Sequence, residues 1–394
     1  MTYANGRIIH DADSHTMETG EWLAPYLDDD MRESLGALYG DAEVGKRILS
    51  IIDKSKARKA DPTLDAEARE NIISGAKGWA GYGAFDTEER VNALDWLGFG
   101  SQLVFPTFGL GLVRRAKDED TLYKAAEALN NAQADFCDAD PRLIFVAFIP
   151  LDNPDRAMEA LDKALERGAG AVLLPSNAPA NVRSPGHNVY DAFWGRLVER
   201  DIPFTLHIGP GTLSQPKAYH DNGRERAPDL HGGGENLRFA DYPCLGYAPQ
   251  MFLTALVYDG VFQRFPTLRG AVVECGAGWV PEWLRQLDGG YRSFKKTDPY
   301  LQAMDMRPSE YIRRAVKFTP FPSEDVGRMI RDAGAELFLF SSDYPHPEGT
   351  KDPIGKFEAT MEDIDEGAKD AFYRRNYEQL MNINDNGALV VAAE

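Results

Sequence analysis

The chain has 394 residues, 43% hydrophobic and 27% charged, ordinary proportions for a globular protein that exclude disordered, collagen-like and fibrous organisation. Lys and Arg number 43 against 62 Asp and Glu, a net charge of −19 that repels phosphate backbones and anionic lipid, so nucleic acid and membrane surfaces are not expected partners. Three cysteines at irregular spacing give neither a disulfide framework nor a thiolate zinc site, and with no basic leader and no run of about 20 apolar residues the expected location is the cytoplasm.

In chain order, short runs rich in Val, Ile, Leu and Phe mark eight candidate strands: Arg7–Asp13, Gln102–Pro106, Leu143–Ile149, Ala171–Pro175, Pro203–His207, Gly270–Glu274, Val316–Thr319 and Leu337–Ser341. Helical segments alternate with them, which is the grammar of a parallel α/β sheet, and eight strands close a (β/α)8 TIM barrel. Asn153-Pro154 is a cap followed by a first-turn proline, with Met158, Leu161 and Leu165 as the apolar stripe and Gly168 as the stop. A later segment repeats the pattern with Ser323 as cap, Val326, Met329 and Ile330 as stripe, and Gly334 as terminator. Two stretches break the rhythm. The residues between the first two strands, about 20–95, read as a helical insertion over the barrel mouth, and 209–247, with its glycine cluster, reads as a lid loop after the fifth strand. No linker divides the chain, so residues 1–394 are expected to form one domain.

The strand ends carry the chemistry. Alternation predicts that Asp11, Asp13 and His15 share one face of the first strand. The fifth strand ends at His207, the sixth at Glu274, and the eighth runs into Asp343 with His346 three residues on. Four strand ends bearing Asp, Glu and His at one rim point to a metal site, with Asp13, His15, His207, Glu274 and Asp343 as ligands. That N/O set suits Zn, Mn or Fe; Cys275 turns to the other face. Three carboxylates leave one divalent ion underbalanced, whereas two ions and a hydroxide sum to zero, so one or two ions are expected. Asp11, Glu18 and His346 adjoin these positions and are expected behind the ligands or against substrate. Arg114 is a candidate clamp for an anionic group, with Arg115 beside it, and His231 falls in the lid. Trp279 and Trp283 are expected to pack.

The segments Asp11–Glu18, Leu206–Gly209, Glu274–Pro281 and Ser342–Pro347 resemble the amidohydrolase superfamily, in its branch of 2-amino-3-carboxymuconate semialdehyde and γ-resorcylate decarboxylases. The resemblance implies a distorted barrel with a divalent metal held at Asp13, His15, His207 and Asp343. It also implies a C-terminal segment docking on a second subunit, hence a homodimer. Two positions depart from the pattern: Asp13 replaces the first His of the H-x-H motif, and Glu274 stands where those decarboxylases carry a catalytic His. The function expected is metal-dependent hydrolysis or non-oxidative decarboxylation of a small carboxylated, aromatic or unsaturated substrate, with Asp343 and Glu274 as the catalytic groups. The alternative is a dinuclear iron oxygenase that hydroxylates a C–H bond on the same fold.

Overall fold

The computed structural model describes residues 2–39, 42–177, 183–209, 217–225 and 240–383. One parallel sheet runs in chain order through β1 (His10–Thr16), β2 (Ser101–Pro106), β3 (Leu143–Phe148), β4 (Ala171–Leu174), β5 (Phe204–His207), β6 (Gly270–Val273) and β7 (Val316–Phe318). Every residue of these strands is buried, as expected for a parallel sheet covered on both faces. Alternate residues divide between two apolar clusters. Ala12, Leu103, Val146, Leu173, Val273 and Leu339 belong to one. Val104, Ala147, Val172, Leu206, Val272 and Phe340 belong to the other, together with helix residues such as Trp194, Leu256 and Ile312.

The sheet is strongly curled. β1 and β5 are four strands apart, about 19 Å in a flat sheet, yet Asp13 Oδ1 and His207 Nε2 approach to 3.3 Å.

Seven of the eight predicted strands are present, with two corrections at the ends of the series. β1 starts at His10 rather than Arg7, because Arg7 is drawn to Glu358 at 2.8 Å and Ile8 is 58% exposed. The predicted eighth strand is not a regular one: Ala335–Leu337 forms a 3-10 turn, and Phe338 and Tyr344 make isolated parallel bridges to Phe318 and Ser14. The segment still joins β7 to β1, through Leu339 N to Phe318 O at 2.9 Å and His15 N to Tyr344 O at 2.8 Å. Between these bridges the Asp11 carboxylate takes Ser342 N at 2.8 Å, so a side chain replaces a ladder partner.

The predicted cap at Asn153 is present, its side chain accepting from Asp155 N and Arg156 N at the start of Pro154–Glu166, whose Leu161 and Leu165 are buried. In Val326–Ala333 the cap is Asp325, not Ser323: the carboxylate accepts from Arg328 N at 2.8 Å, while the Ser323 hydroxyl bonds Tyr242.

Between β1 and β2 lie the helices Gly20–Leu23, Asp29–Leu35, Ala42–Arg58, Pro62–Glu70 and Thr87–Leu97. Trp79 Nε1 and Tyr39 OH both donate to Glu18 O at 3.1 Å, and Gly78 N donates to Pro345 O at 2.7 Å. These bonds fasten the segment over the carboxyl ends of β1 and the closing stretch. Most of the expected lid, including His231, lies outside the described residues.

Candidate metal centre

Asp13 and His15 come from β1, His207 is the last residue of β5, Glu274 directly follows β6, and Asp343 lies in the closing stretch. All five are buried. His15 Nε2 stands 3.1 Å from Asp13 Oδ1, 3.5 Å from Asp343 Oδ1 and 3.9 Å from Glu274 Oε2. His207 Nε2 stands 3.3 Å from Asp13 Oδ1 and 3.4 Å from Glu274 Oε2. Two overlapping groups place all their ligand atoms within 4.8 Å of one another: Asp13, His15, His207 and Glu274, and His15, Glu274, Asp343 and His346.

Local structure aims each group. Nδ1 of His207 lies 2.6 Å from Ile208 O, which turns Nε2 toward the carboxylates. Glu274 and Asp343 have left-handed backbones, φ 52° and 54°, that swing their side chains off the strand direction into the centre. Glu274 N donates to the Thr319 hydroxyl at 2.9 Å, which holds that turn.

Burial dominates the electrostatics. It lowers the His15 pKa to about 3 and raises Asp343 to about 6, the latter against the pull of His346. For Asp13 burial acts upward, but the charge of His207 and the close approach of both imidazoles hold it below the ordinary carboxylate range.

These residues fit a divalent cation. His15 Nε2 and Asp343 Oδ1 are buried and make no hydrogen bond of good geometry, which is costly unless an ion completes them. Two imidazoles with two or three carboxylates suit Zn, Mn or Fe.

Of the other predicted site residues, His346 is in the centre, its Nδ1 3.1 Å from Asp343 Oδ1. Glu18 is fully buried behind it, accepting from Thr107 N at 2.8 Å and Phe108 N at 2.9 Å. Asp11 does not share the face of Asp13 and His15. The β1–β2 register shifts between Asp11 and Ser14, and Asp11 instead accepts from Gln102 Nε2 at 2.8 Å and the Ser342 hydroxyl at 2.6 Å. Burial raises its pKa to about 7.

Arg114 is half-buried and its charged neighbour is Asp152, while Arg115 donates to Ala37 O at 2.6 Å. Trp279 and Trp283 pack edge to face, as expected, with centroids 5.4 Å apart.

Sequence reasoning passed over two residues. Thr107 touches both His15 and His346, at 3.3 Å and 2.9 Å. Lys77, from the inserted segment, buries its ammonium 5.1 Å over the Tyr344 ring and interacts with Asp343 and Asp11. Neither carries a local signal: Thr107 is the single residue between β2 and the helix Phe108–Val113, and Lys77 is one lysine in a charged insertion.

Ionisable side chains converging at the carboxyl ends of a curled parallel α/β sheet define the active-site layout of an enzyme. The chain belongs to the amidohydrolase family, whose model matches residues 22–380, and it is therefore a hydrolase or a carboxy-lyase. It is 25% identical over 244 residues to a γ-resorcylate decarboxylase of Rhizobium sp., an alignment covering 59% of this chain and 69% of the relative. Among solved structures, an amidohydrolase of Mycobacterium avium subsp. paratuberculosis superposes with a TM-score of 0.73 at 21% identity, covering 95% of this chain and 99% of the other. The 5-carboxyvanillate decarboxylase of Novosphingobium aromaticivorans, complexed with manganese and a nitrobenzoic acid, superposes with a TM-score of 0.62 at 19% identity, covering 97% and 98%.

Proposed function

We propose that the protein is a metal-dependent decarboxylase of small aromatic or unsaturated carboxylic acids, built as one distorted (β/α)8 domain that the stretch 338–344 closes. The observation that carries this reading is the convergence of Asp13, His15, His207 and Glu274, with Asp343 at their edge, in a chain related to a γ-resorcylate decarboxylase. Those four side chains would hold the ion. Manganese, present in the 5-carboxyvanillate decarboxylase neighbour, fits the donor set, as do Zn and Fe. When bound, the ion supplies Lewis acidity that orients and polarises an anionic oxygen of the substrate.

The chain's own groups then handle the proton. Burial raises the pKa of Asp343 to about 6, so the carboxyl holds a proton below that pH and a fraction of it still does near neutral pH. Delivered to the ring carbon that bears the carboxylate, this proton forms the new C–H bond. The C–C bond breaks, its electron pair restores the ring, and CO2 leaves. Asp343 regains its proton from solvent, and His346 at 3.1 Å fixes the carboxyl through the cycle. Lys77, held beside Asp343, offsets part of the negative charge of the site. Hydrolysis is the second reading. It is favoured by Glu274, a carboxylate able to take a proton from water at the position where the decarboxylases resembled above carry a His. The iron oxygenase reading gains nothing from these relatives.

The test is CO2 release from γ-resorcylate, 5-carboxyvanillate and related ortho-hydroxybenzoates, with Mn, Zn or Fe(II) added in turn. Turnover of one such acid supports the proposal. Failure of the whole panel under every metal, alongside hydrolysis of a carbonyl substrate, would replace it with the second reading.

A further inference from the structure

Glu274 leaves β6 through a turn, 274–278, in which Glu274 and Gly276 are both left-handed, at φ 52° and 64°. For a glutamate that conformation is costly and persists only where the surroundings impose it. Here side chains impose it, one backbone group at a time. Thr319, which follows β7, accepts from Glu274 N at 2.9 Å, and its own N–H is tied to Val272 O at 3.0 Å. The Trp279 indole Nε1 donates to Cys275 O at 3.2 Å and to Gly276 O at 3.0 Å. The Glu324 carboxylate takes the next two amides, Ala277 N at Oε2 at 2.9 Å and Gly278 N at Oε1 at 2.7 Å.

Glu324 is itself fixed. Its Oε2 also accepts from Phe321 N at 2.8 Å, and the Phe321 ring stacks on Tyr242, whose hydroxyl lies 3.2 Å from that of Ser323. The approach is close on the side of the turn: a methyl group at Gly278 would stand 2.7 Å from Glu324 Oε1, and one at Gly276 3.0 Å from the Phe321 ring. Helix capping does not explain these bonds. The helix that follows is Val280–Phe294, its capping position is Trp279, and the amides that Glu324 holds lie before it. What they fix is the course of the chain just after Glu274, whose Oε2 reaches 3.4 Å from His207 Nε2 and 3.9 Å from His15 Nε2.

Resting on the metal-centre reading above, we infer that Glu324 is a positioning residue: through the amides of Ala277 and Gly278 it sets the turn that aims the Glu274 carboxylate at the ion. Both of its oxygens are used, so the role calls for a carboxylate. A glutamine has one acceptor oxygen. Placed at Oε2, that oxygen keeps the bonds from Ala277 and Phe321, while the amide nitrogen turns an N–H toward the N–H of Gly278. Glu324→Gln therefore loses part of the brace and Glu324→Ala all of it.

The test titrates Mn(II) into the full chain after removal of bound metal and reads the free ion by electron paramagnetic resonance. Glu324→Ala is expected to weaken Mn(II) binding about 10-fold, and Glu324→Gln by less. In a Glu274→Ala background the same Glu324 substitutions are expected to change nothing further, because the carboxylate they misdirect is gone. An equal loss in both backgrounds would make Glu324 a general structural residue and overturn the inference. A folded Glu324→Ala protein with the parent's Mn(II) affinity would overturn it too. A parent chain that binds no Mn(II), or a Glu274→Ala protein that binds it as tightly as the parent, would instead overturn the metal-centre reading. Where Glu324→Ala fails to fold, the cycle is run with Glu324→Gln. Hydrogen exchange in the parent adds a measurement that needs no variant: the amides of Ala277 and Gly278 are expected to be protected, and free exchange at both would overturn the inference.

Discussion

Glu274 and Asp343 leave the parallel sheet in the same way, each with a left-handed backbone, at φ 52° and φ 54°. A side chain in that region costs about 1–2 kcal/mol, so both positions trade stability for the aim of a carboxylate. Glu274→Gly is therefore expected to unfold later in urea than Glu274→Gln, by about 1 kcal/mol, with both variants losing ion affinity. A glycine variant no more stable than the glutamine one would remove strain from the account of this site.

Asp343→Asn keeps the shape of the side chain but cannot carry the proton. The expected loss in kcat is about 10²- to 10⁴-fold, with the circular dichroism spectrum unchanged. A fully active Asn variant would show that another group moves the proton.

Stripping the ion should leave buried carboxylates facing one another at the centre. The chelated protein is expected to melt at a lower temperature and to recover on adding Mn or Zn. At 100 times Kd the recovery is worth about 2.7 kcal/mol. Equal melting temperatures with and without chelator would argue against an ion at this site.

His10 is the first residue of β1, 2.8 Å from the Ser101 hydroxyl and stacked on Tyr377 with centroids 4.9 Å apart. Burial lowers its pKa from 6.5 to about 4. Between those values the unfolded chain binds a proton that the folded chain refuses. Stability is thus flat above pH 6.5 on this account and falls as the pH drops toward 4, by about 3 kcal/mol in all. Urea midpoints of the parent and of His10→Phe across this range should differ in slope, the variant being the flatter. Parallel curves would contradict the assignment.

Arg90 is fully buried, and its three guanidinium nitrogens make no hydrogen bond; the Tyr344 ring lies 5.4 Å away. A buried charge so poorly paired costs more in desolvation than it returns. Arg90→Met is expected to raise stability by about 1–4 kcal/mol, read from the denaturation midpoint below pH 7, where Asp11 tends to be neutral. Destabilisation of that size would mean the charge is needed where it lies.

Much of this was legible in the sequence because it is local. Apolar runs and caps such as Asn153 depend on neighbours a few positions away, and they located seven strands. Parallel strands place their carboxyl ends on one side, so His207 and Glu274 could be assigned to one rim from their positions alone. What the sequence did not determine is long-range. The register shift in β1 parts Asp11 from Asp13, although strict alternation would group them. The eighth stretch gives up its ladder where the Asp11 carboxylate takes Ser342 N. Arg114, at the end of the helix Phe108–Val113 that follows β2, meets Asp152 instead. Thr107 and Lys77 join the centre only because the curl of the sheet and the docking of the insertion bring them there. The sequence alone determines which groups stand at the strand ends, because that follows from periodicity; the tertiary structure decides which of them meet, because contact depends on curvature, register and backbone turns summed over hundreds of residues.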